Sequence, residues 1–287
     1  MITYQRLSKK IYYEVINLQR LGILNKTVVP INLHPKFDSE MADEGLYGMV
    51  IKVLEDMGEG WYYIETHYNY CGYVHQSNII IDDIRSKEWM NEAKSIITHS
   101  VVDVMPEASY KGYVKEFLTR GAIVIVTGNE KDGWTEIKLA DHRTGWVRTS
   151  FVGDRIISYN KDDENQLRDK LVKTAMLYLG TQYRWGGKSP LGLDCSGLCS
   201  ISYMLNGIII YRDAERKDEY MRKITLDEIK PGDLLFFPGH VAMYIGNDRY
   251  IHSSSSLNGV NINSLNSSDM DYKEDLAKTI TDIGTIF

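Results

Sequence analysis

Only three cysteines, Cys71, Cys195 and Cys199, occur in the 287 residues. That is too few for a disulfide framework, so all three are expected as free thiols. No apolar run approaches the ~20 residues of a membrane-spanning helix, and no membrane partner is expected. Basic residues are not in excess. The 33 Lys+Arg against 39 Asp+Glu give a formal net charge of −6 and a pI near 5.7, without the broad positive footprint of a nucleic-acid binder. The opening MITYQRLSKKIYYEVINLQR has no apolar stretch of about 7–15 residues before small residues, so it does not read as a secretory signal. The expected location is the cytoplasm, with a processed secreted or wall-associated form as the alternative. Phenylalanine is scarce, 6 against 20 tyrosines; tyrosine suits half-buried strands and wet clefts. With 43% apolar and 25% charged residues, the chain is neither disordered nor collagen-like nor low in complexity. At about 100–200 residues per domain, it holds two domains, or three small ones.

A shift of 73 positions aligns two segments without a gap. Val28 falls on Val101, Gly48 on Gly121, Gly60-Trp61 on Gly133-Trp134, Ile64 on Ile137, Gly72 on Gly145, Val74 on Val147 and Ser77 on Ser150. Apolar alternation (Val50, then Val53 after a phase change; Ile123, Ile125) bounded by Gly, Asp and Asn predicts short antiparallel strands. Residues 28–80 and 100–153 are therefore read as two small β-barrels of one kind. Their G-x-V…G-W…G-[YW]-V pattern resembles bacterial SH3-like domains, with Trp61 and Trp134 expected to plug the barrels. Between them, 82–97 reads as a helical linker. Residues 162–179 read as a stronger helix, capped by Asp162 or Asp163 and stopped by Gly180, with Leu167, Leu171, Ala175 and Leu179 on one face. The expected units are 1–81 (an N-terminal helix and the first SH3-like domain), 82–99 (the linker helix), 100–155 (the second SH3-like domain) and 156–287.

The last unit carries the chemistry. The loop 180–193 precedes a helix over 195–206, with Leu198, Ser202 and Leu205 on one side. Asp194 is a good N-cap, which puts Cys195 at the first helical position among unpaired N–H groups and the positive end of the helix dipole. That placement is expected to lower the thiol pKa and favour the nucleophilic thiolate. Cys199, one turn deeper, reads as core. A thiol nucleophile needs a base. His240 starts the buried strand of PGHVAMYIG, and His252 ends the next strand, past the turn Gly246-Asn247-Asp248. Neighbouring antiparallel strands lie side by side, so one histidine can face the thiol while the other holds its far ring nitrogen, in the nucleophile–base–orienter arrangement.

The ordered set W-G-G…D-C-S-G-L, P-G-D-L-L-F-F, G-H-V-A-M-Y-I-G and Y-I-H-S-S, over roughly 165–287, resembles the NlpC/P60 cysteine peptidases. The resemblance implies a papain-like α+β catalytic domain after the two all-β SH3-like barrels, with Cys195 as nucleophile, His240 as base, His252 as orienting residue and the Tyr183 hydroxyl beside the Cys195 N–H as oxyanion donors. The whole layout resembles the subgroup of γ-D-glutamyl-L-diamino acid endopeptidases, also called dipeptidyl-peptidase VI. That implies a peptidoglycan stem peptide as substrate, L-Ala-γ-D-Glu-L-Lys or its meso-diaminopimelate counterpart, with a free N-terminal L-Ala. The subgroup's P-R-D-like motif falls on Tyr211-Arg212-Asp213, with tyrosine where proline is usual, and makes Asp213 the partner of the substrate ammonium. The resemblance also implies Ser196 as a further substrate contact. A tyrosine from the first SH3-like domain, Tyr70 with Tyr68 as its rival, would also reach the site. Tyr70 aligns with Arg143 in the second copy, so the barrel does not demand tyrosine there.

Blander readings stand beside these. His34, His67, His75, His99 and His142 read as structural, Arg212 with Asp213 as a surface ion pair, and Asp162-Asp163-Glu164 as a solvated helix start. No cofactor or metal is expected, although Cys195, His240 and His252 could make a three-ligand zinc site. A monomer is expected. The alternative functions are a non-catalytic protein that binds cell wall and a related thiol amidase or acyltransferase.

Overall fold

The structure is a computed structural model that describes residues 20–159 and 163–287. The expected N-terminal helix and Asp162 lie outside the described residues. The first unit is one sheet of seven strands, Arg20–Leu24, Val28–Asn32, Met41–Leu46, Val50–Gly58, Trp61–Thr66, Cys71–His75 and Ile79–Ile81. The 73-residue shift carries Val50–Gly58 onto the strand Ile123–Lys131, Cys71–His75 onto Thr144–Arg148, and the single turn Gln76–Asn78 onto Thr149–Phe151. It also pairs the turns. Positive φ recurs at Gly48 and Gly121 (78° and 90°), Glu59 and Asp132 (52° and 51°), Gly60 and Gly133 (81° and 75°), and Asn69 and His142 (59° and 69°).

Each repeat begins one strand earlier than its sequence pattern suggests. Arg20–Leu24 pairs with both Val50–Gly58 and Ile79–Ile81, and Ser95–Ile97 does the same in the second copy. The linker helix expected over 82–97 is therefore shorter. Helix α1 spans Asp83–Glu92, and the Asp82 side chain accepts from Arg85 N–H at its start. Ile96 and Ile97 leave the helix because both are buried as strand residues. In the first copy, Ile51 and Val53 face the core and Val50 is half-buried.

The tryptophans do not plug the barrels as expected. Both are buried, yet the contiguous apolar core lies elsewhere. Trp61 sits under Phe37 and His75, with ring centroids 5.1 and 5.3 Å away. Trp134 sits under Tyr110 at 4.8 Å and the Arg148 guanidinium at 5.3 Å. The same shift relates Phe37 to Tyr110 and His75 to Arg148, so each repeat stacks its tryptophan beneath a surface aromatic.

The last unit is an antiparallel sheet of six strands in the order Arg222–Lys223, Asp282–Thr285, Leu234–Phe237, His240–Gly246, Arg249–Ser254 and Gly259–Ser264, against which helices α2 (Glu164–Met176) and α3 (Cys195–Met204) pack. Asp163 caps α2 by accepting from Gln166 N–H, and Glu164 pairs with Arg168 at 2.8 Å. The buried face is Leu167, Leu171 and Ala175. Leu179 is outside both helix and core, half exposed, because the chain tightens after Met176 into bonds such as Tyr178 N–H to Ala175 C=O, and Tyr178 turns inward instead. Helix α3 is buried all round from Cys195 to Tyr203, as an apolar helix at the centre of a domain must be.

The three units meet in one core. Gly121 lies at their junction. Its φ of 90° is in the left-handed region, and a Cβ there would stand 2.8 Å from Leu46 and 3.4 Å from Leu205, so both the conformation and the contact demand glycine. A buried ionic cluster joins the first unit to the last. Asp43, fully buried, accepts from Lys188 Nζ at 2.9 Å, from Arg212 Nε at 2.6 Å and from the Tyr68 hydroxyl. Burial alone would raise the Asp43 carboxyl, but Lys188 and Arg212 hold it below the usual range; burial drops Lys188 to about 8 despite Asp43. Removing one partner of a buried pair leaves an uncompensated charge at a cost of about 3–5 kcal/mol. Asp43→Asn is therefore expected to lower unfolding stability by that amount in urea or thermal melts. A change under about 1 kcal/mol would show that the cluster does not hold the units together.

Candidate active site

Cys195 is the first residue of α3, and the Asp194 side chain caps the helix by accepting from Gly197 N–H. The thiol is nearly buried, and the backbone N–H groups of Val241 and Ser196 favour its charged form. The thiol pKa is raised, not lowered as its helix position suggests. Burial, reinforced by the Asp194 carboxylate, pushes the thiol up to about 11, and the two N–H groups and Arg212 offset only part of this. The helix end tempers the desolvation of the sulfur without overcoming it. The resting thiol is neutral, so nucleophilic attack requires a base to take its proton as it reacts.

That base stands on the strand beside the sulfur. His240 begins a strand packed against α3, and its ring lines the same cleft as Cys195. Burial pushes His240 down to about 4, with His252 adding to the effect; the imidazole is neutral and able to accept. Asn247 and Asp248, with φ of 53° and 57°, make the tight turn that folds the next strand back. This brings His252 Nδ1 to 2.8 Å from His240 Nε2. His252 Nε2 in turn lies 3.0 Å from Asn263 Oδ1. With both nitrogens of His252 in hydrogen bonds, the zinc reading lacks a free ligand atom on that ring.

The cleft has a volume of about 550 Å³, and its wall brings together Cys195, His240, Tyr183, Ser196, Asp213 and Tyr70. Burial and the neighbouring Cys195 push the Tyr183 phenol up to about 12, so it stays a donor. Ser196 Oγ accepts from Arg212 Nη1 at 2.7 Å. Arg212 and Asp213 do not form the surface pair that the bland reading expects. Arg212 is buried and turned to Asp43 and Asp194, while Asp213 faces the cleft, where the nearby Tyr211 and Tyr70 phenols favour its charged form. Burial raises the Asp213 carboxyl. Tyr68 is buried against Asp43 and Lys188; Tyr70 is the tyrosine at the cleft. Cys199 is buried in the core.

Several cleft residues were not legible as such in the sequence. Leu33, Glu40 and Ala42 of the first unit line one side, and Trp185, Ser254 and Ser255 of the last unit line others. The contrast between copies that singles out Tyr70 could have found Glu40, which aligns with Tyr113 in the second copy. Asn263 lies outside every quoted motif and becomes visible only through strand pairing.

The chain is similar to several known proteins. Residues 180–278 match the NlpC/P60 family, and residues 34–79 match the bacterial dipeptidyl-peptidase Sh3 domain. The chain is 40% identical over 257 residues to dipeptidyl-peptidase 6 of Lysinibacillus sphaericus, covering 88% of this chain and 94% of that protein. It is 25% identical over 246 residues to a gamma-D-glutamyl-L-lysine dipeptidyl-peptidase of Bacillus cereus, covering 79% and 72%. A solved NlpC/P60 family protein from Bacillus cereus superposes with a TM-score of 0.76 at 18% identity, over 93% of this chain and 99% of that one, which shows a shared fold.

Proposed function

The chain belongs to the NlpC/P60 family of cysteine peptidases and carries a bacterial dipeptidyl-peptidase SH3 domain ahead of its catalytic domain; from that premise we propose that it hydrolyses the γ-D-glutamyl-L-diamino acid bond of peptidoglycan stem peptides with a free N-terminal L-Ala. The observation that carries this reading is one cleft holding Cys195 and His240, the latter backed by buried His252, at one place, and the Asp213 carboxylate with Tyr70 at another. The first set cuts an acyl bond; the second suits a substrate ammonium. The relatives named for dipeptidyl-peptidase activity support the same substrate class.

In the proposed reaction, Asp213 and Tyr70 hold the N-terminal ammonium, and Ser196 contacts the bound peptide. The γ-carbonyl then lies over the sulfur. His240 takes the thiol proton through Nδ1 as the S–C bond forms. The oxyanion accepts from the Tyr183 hydroxyl and from the Cys195 N–H, which has no carbonyl partner inside the helix. Collapse expels the diamino acid, whose α-amine receives the proton from His240. Water, losing a proton to His240, then cleaves the thioester and releases L-Ala-D-Glu. We assign residues 100–155 to a second SH3-like domain, supported by the turn-for-turn repeat. We also propose a monomer, since one chain lines the whole cleft, and a cytoplasmic site of action, since a free L-Ala terminus belongs to released peptides. The test is mass spectrometry after incubation with L-Ala-γ-D-Glu-L-Lys and its diaminopimelate counterpart. L-Ala-D-Glu and the free diamino acid are expected. Intact peptides, or fragments from another bond, would overturn the proposal.

A further inference from the structure

The hydrogen bonds behind His240 continue past His252, and each has only one workable direction. An asparagine amide can present either its oxygen or its nitrogen. Asn263 Nδ2 donates to the Asp271 carbonyl at 2.6 Å, which leaves Oδ1 facing His252 Nε2 at 3.0 Å. An amide oxygen only accepts, so Nε2 of His252 carries the proton and Nδ1 carries the lone pair. That lone pair, 2.8 Å from His240 Nε2, requires a proton on Nε2 of His240. The free lone pair of the neutral His240 ring is then on Nδ1, the nitrogen left to receive the thiol proton.

We propose that Asn263 is a positioning residue that fixes the tautomers of both histidines and so makes His240 a base toward Cys195. The inference rests on the reading of Cys195 and His240 as nucleophile and base. The arrangement is sheltered, because Asn263 is 4% exposed and His252 1%, too little for water to supply the opposite bond. It is also braced from outside. Arg249 Nη1 holds the Asp271 carboxylate at 2.6 Å, and the Asp271 carbonyl also accepts from Ser264 N–H at 3.3 Å. The other groups facing the pair are the Tyr250 ring, 5.1 Å from His252, and the Phe237 ring, 5.8 Å from His240. Lys273 disfavours charge on His252, and Asp275 favours it on both histidines. His252 therefore stays neutral, and burial is the main cause.

Two variants and one spectrum test the proposal. Asn263→Leu removes the acceptor at similar volume, frees the tautomers, and is expected to lower kcat/KM about 10–100-fold across the pH range, the scale seen when the partner orienting a functional histidine is lost. Asn263→Asp keeps an acceptor, so activity on the alkaline side should recover to within a few-fold of wild type. Its carboxylate makes His252 easier to protonate, and protonated His252 cannot accept from His240. The acid limb of kcat/KM should therefore move to higher pH in this variant. A role confined to packing would alter stability in both variants and move neither limb. Independently of any substrate, ¹⁵N NMR of the wild-type histidines should show His252 and His240 both protonated on Nε2. A proton on Nδ1 of His252, or an Asn263→Leu enzyme with wild-type kcat/KM and pH profile, would overturn the inference. A wild-type protein with the expected tautomers but no peptidase activity would instead count against the functional reading.

Discussion

Cys195→Ala is expected to abolish hydrolysis and leave the protein folded. The substitution removes one sulfur from the first turn of α3, while the Asp194 cap, which accepts from Gly197 N–H, and the buried face of the helix remain. Alanine is compatible with the helix start, so the unfolding transition should move by no more than about 1 kcal/mol. Turnover should fall far more. When a nucleophile is deleted from a nucleophile–base–orienter set, losses of ~10⁶ in kcat are the scale. Neither remaining thiol can substitute, since Cys199 is sealed in the core and Cys71 does not line the cleft. Substrate binding at Asp213 and Tyr70 should survive, so the variant should still take up the peptide. Full activity in this variant would end the cysteine-peptidase reading.

The second large effect concerns the substrate. Acetylating the N-terminal L-Ala is expected to lower kcat/KM by on the order of 10²–10³, because it removes the charge that meets Asp213 and leaves a half-buried carboxylate unmatched. The Asp213 carboxyl is raised mainly by burial, which Arg212, Tyr211 and Tyr70 offset only in part, so the ammonium would complete an incomplete site. The partner experiment uses Asp213→Asn, where the ratio between free and acetylated peptide should collapse toward one. Equal rates for the two peptides with the wild-type enzyme would refute the ammonium-recognition role.

The local order of the chain was legible because short-range physics dictates it. Asp194 capping a helix that opens at Cys195, and the tight turn that lays the His252 strand beside the His240 strand, both follow from residue type and spacing. The repeat was legible as well, except that both copies lose their first strand. Arg20–Leu24 and Ser95–Ile97 are short and sit next to helix-like sequence, and only their partners in the sheet decide their state. What sequence reasoning could not reach was long-range electrostatics. The thiol is shifted up, not down, because burial and Asp194 outweigh two N–H groups. Arg212 ignores its neighbour Asp213 for Asp43, which is 169 positions away. The differences between the repeats proved more informative than the identities. Where the second copy has Arg143 and Glu116, the first has Tyr70 at the cleft and Asp43 in the buried cluster. The first unit is thus a wall of the site and a counter-charge for the catalytic domain, which also explains why a detached wall-binding role fits the structure less well.

The most direct test of the account is to label the protein with L-Ala-D-Glu whose γ-carboxyl has been converted to a diazomethyl ketone and to locate the label by peptide mapping. Such a reagent alkylates the atom that attacks the γ-carbonyl carbon. The account predicts one label per chain, on the sulfur at position 195, with peptidase activity falling in step with its occupancy. A label carried by another side chain, or an enzyme still fully active once that sulfur is blocked, would contradict it.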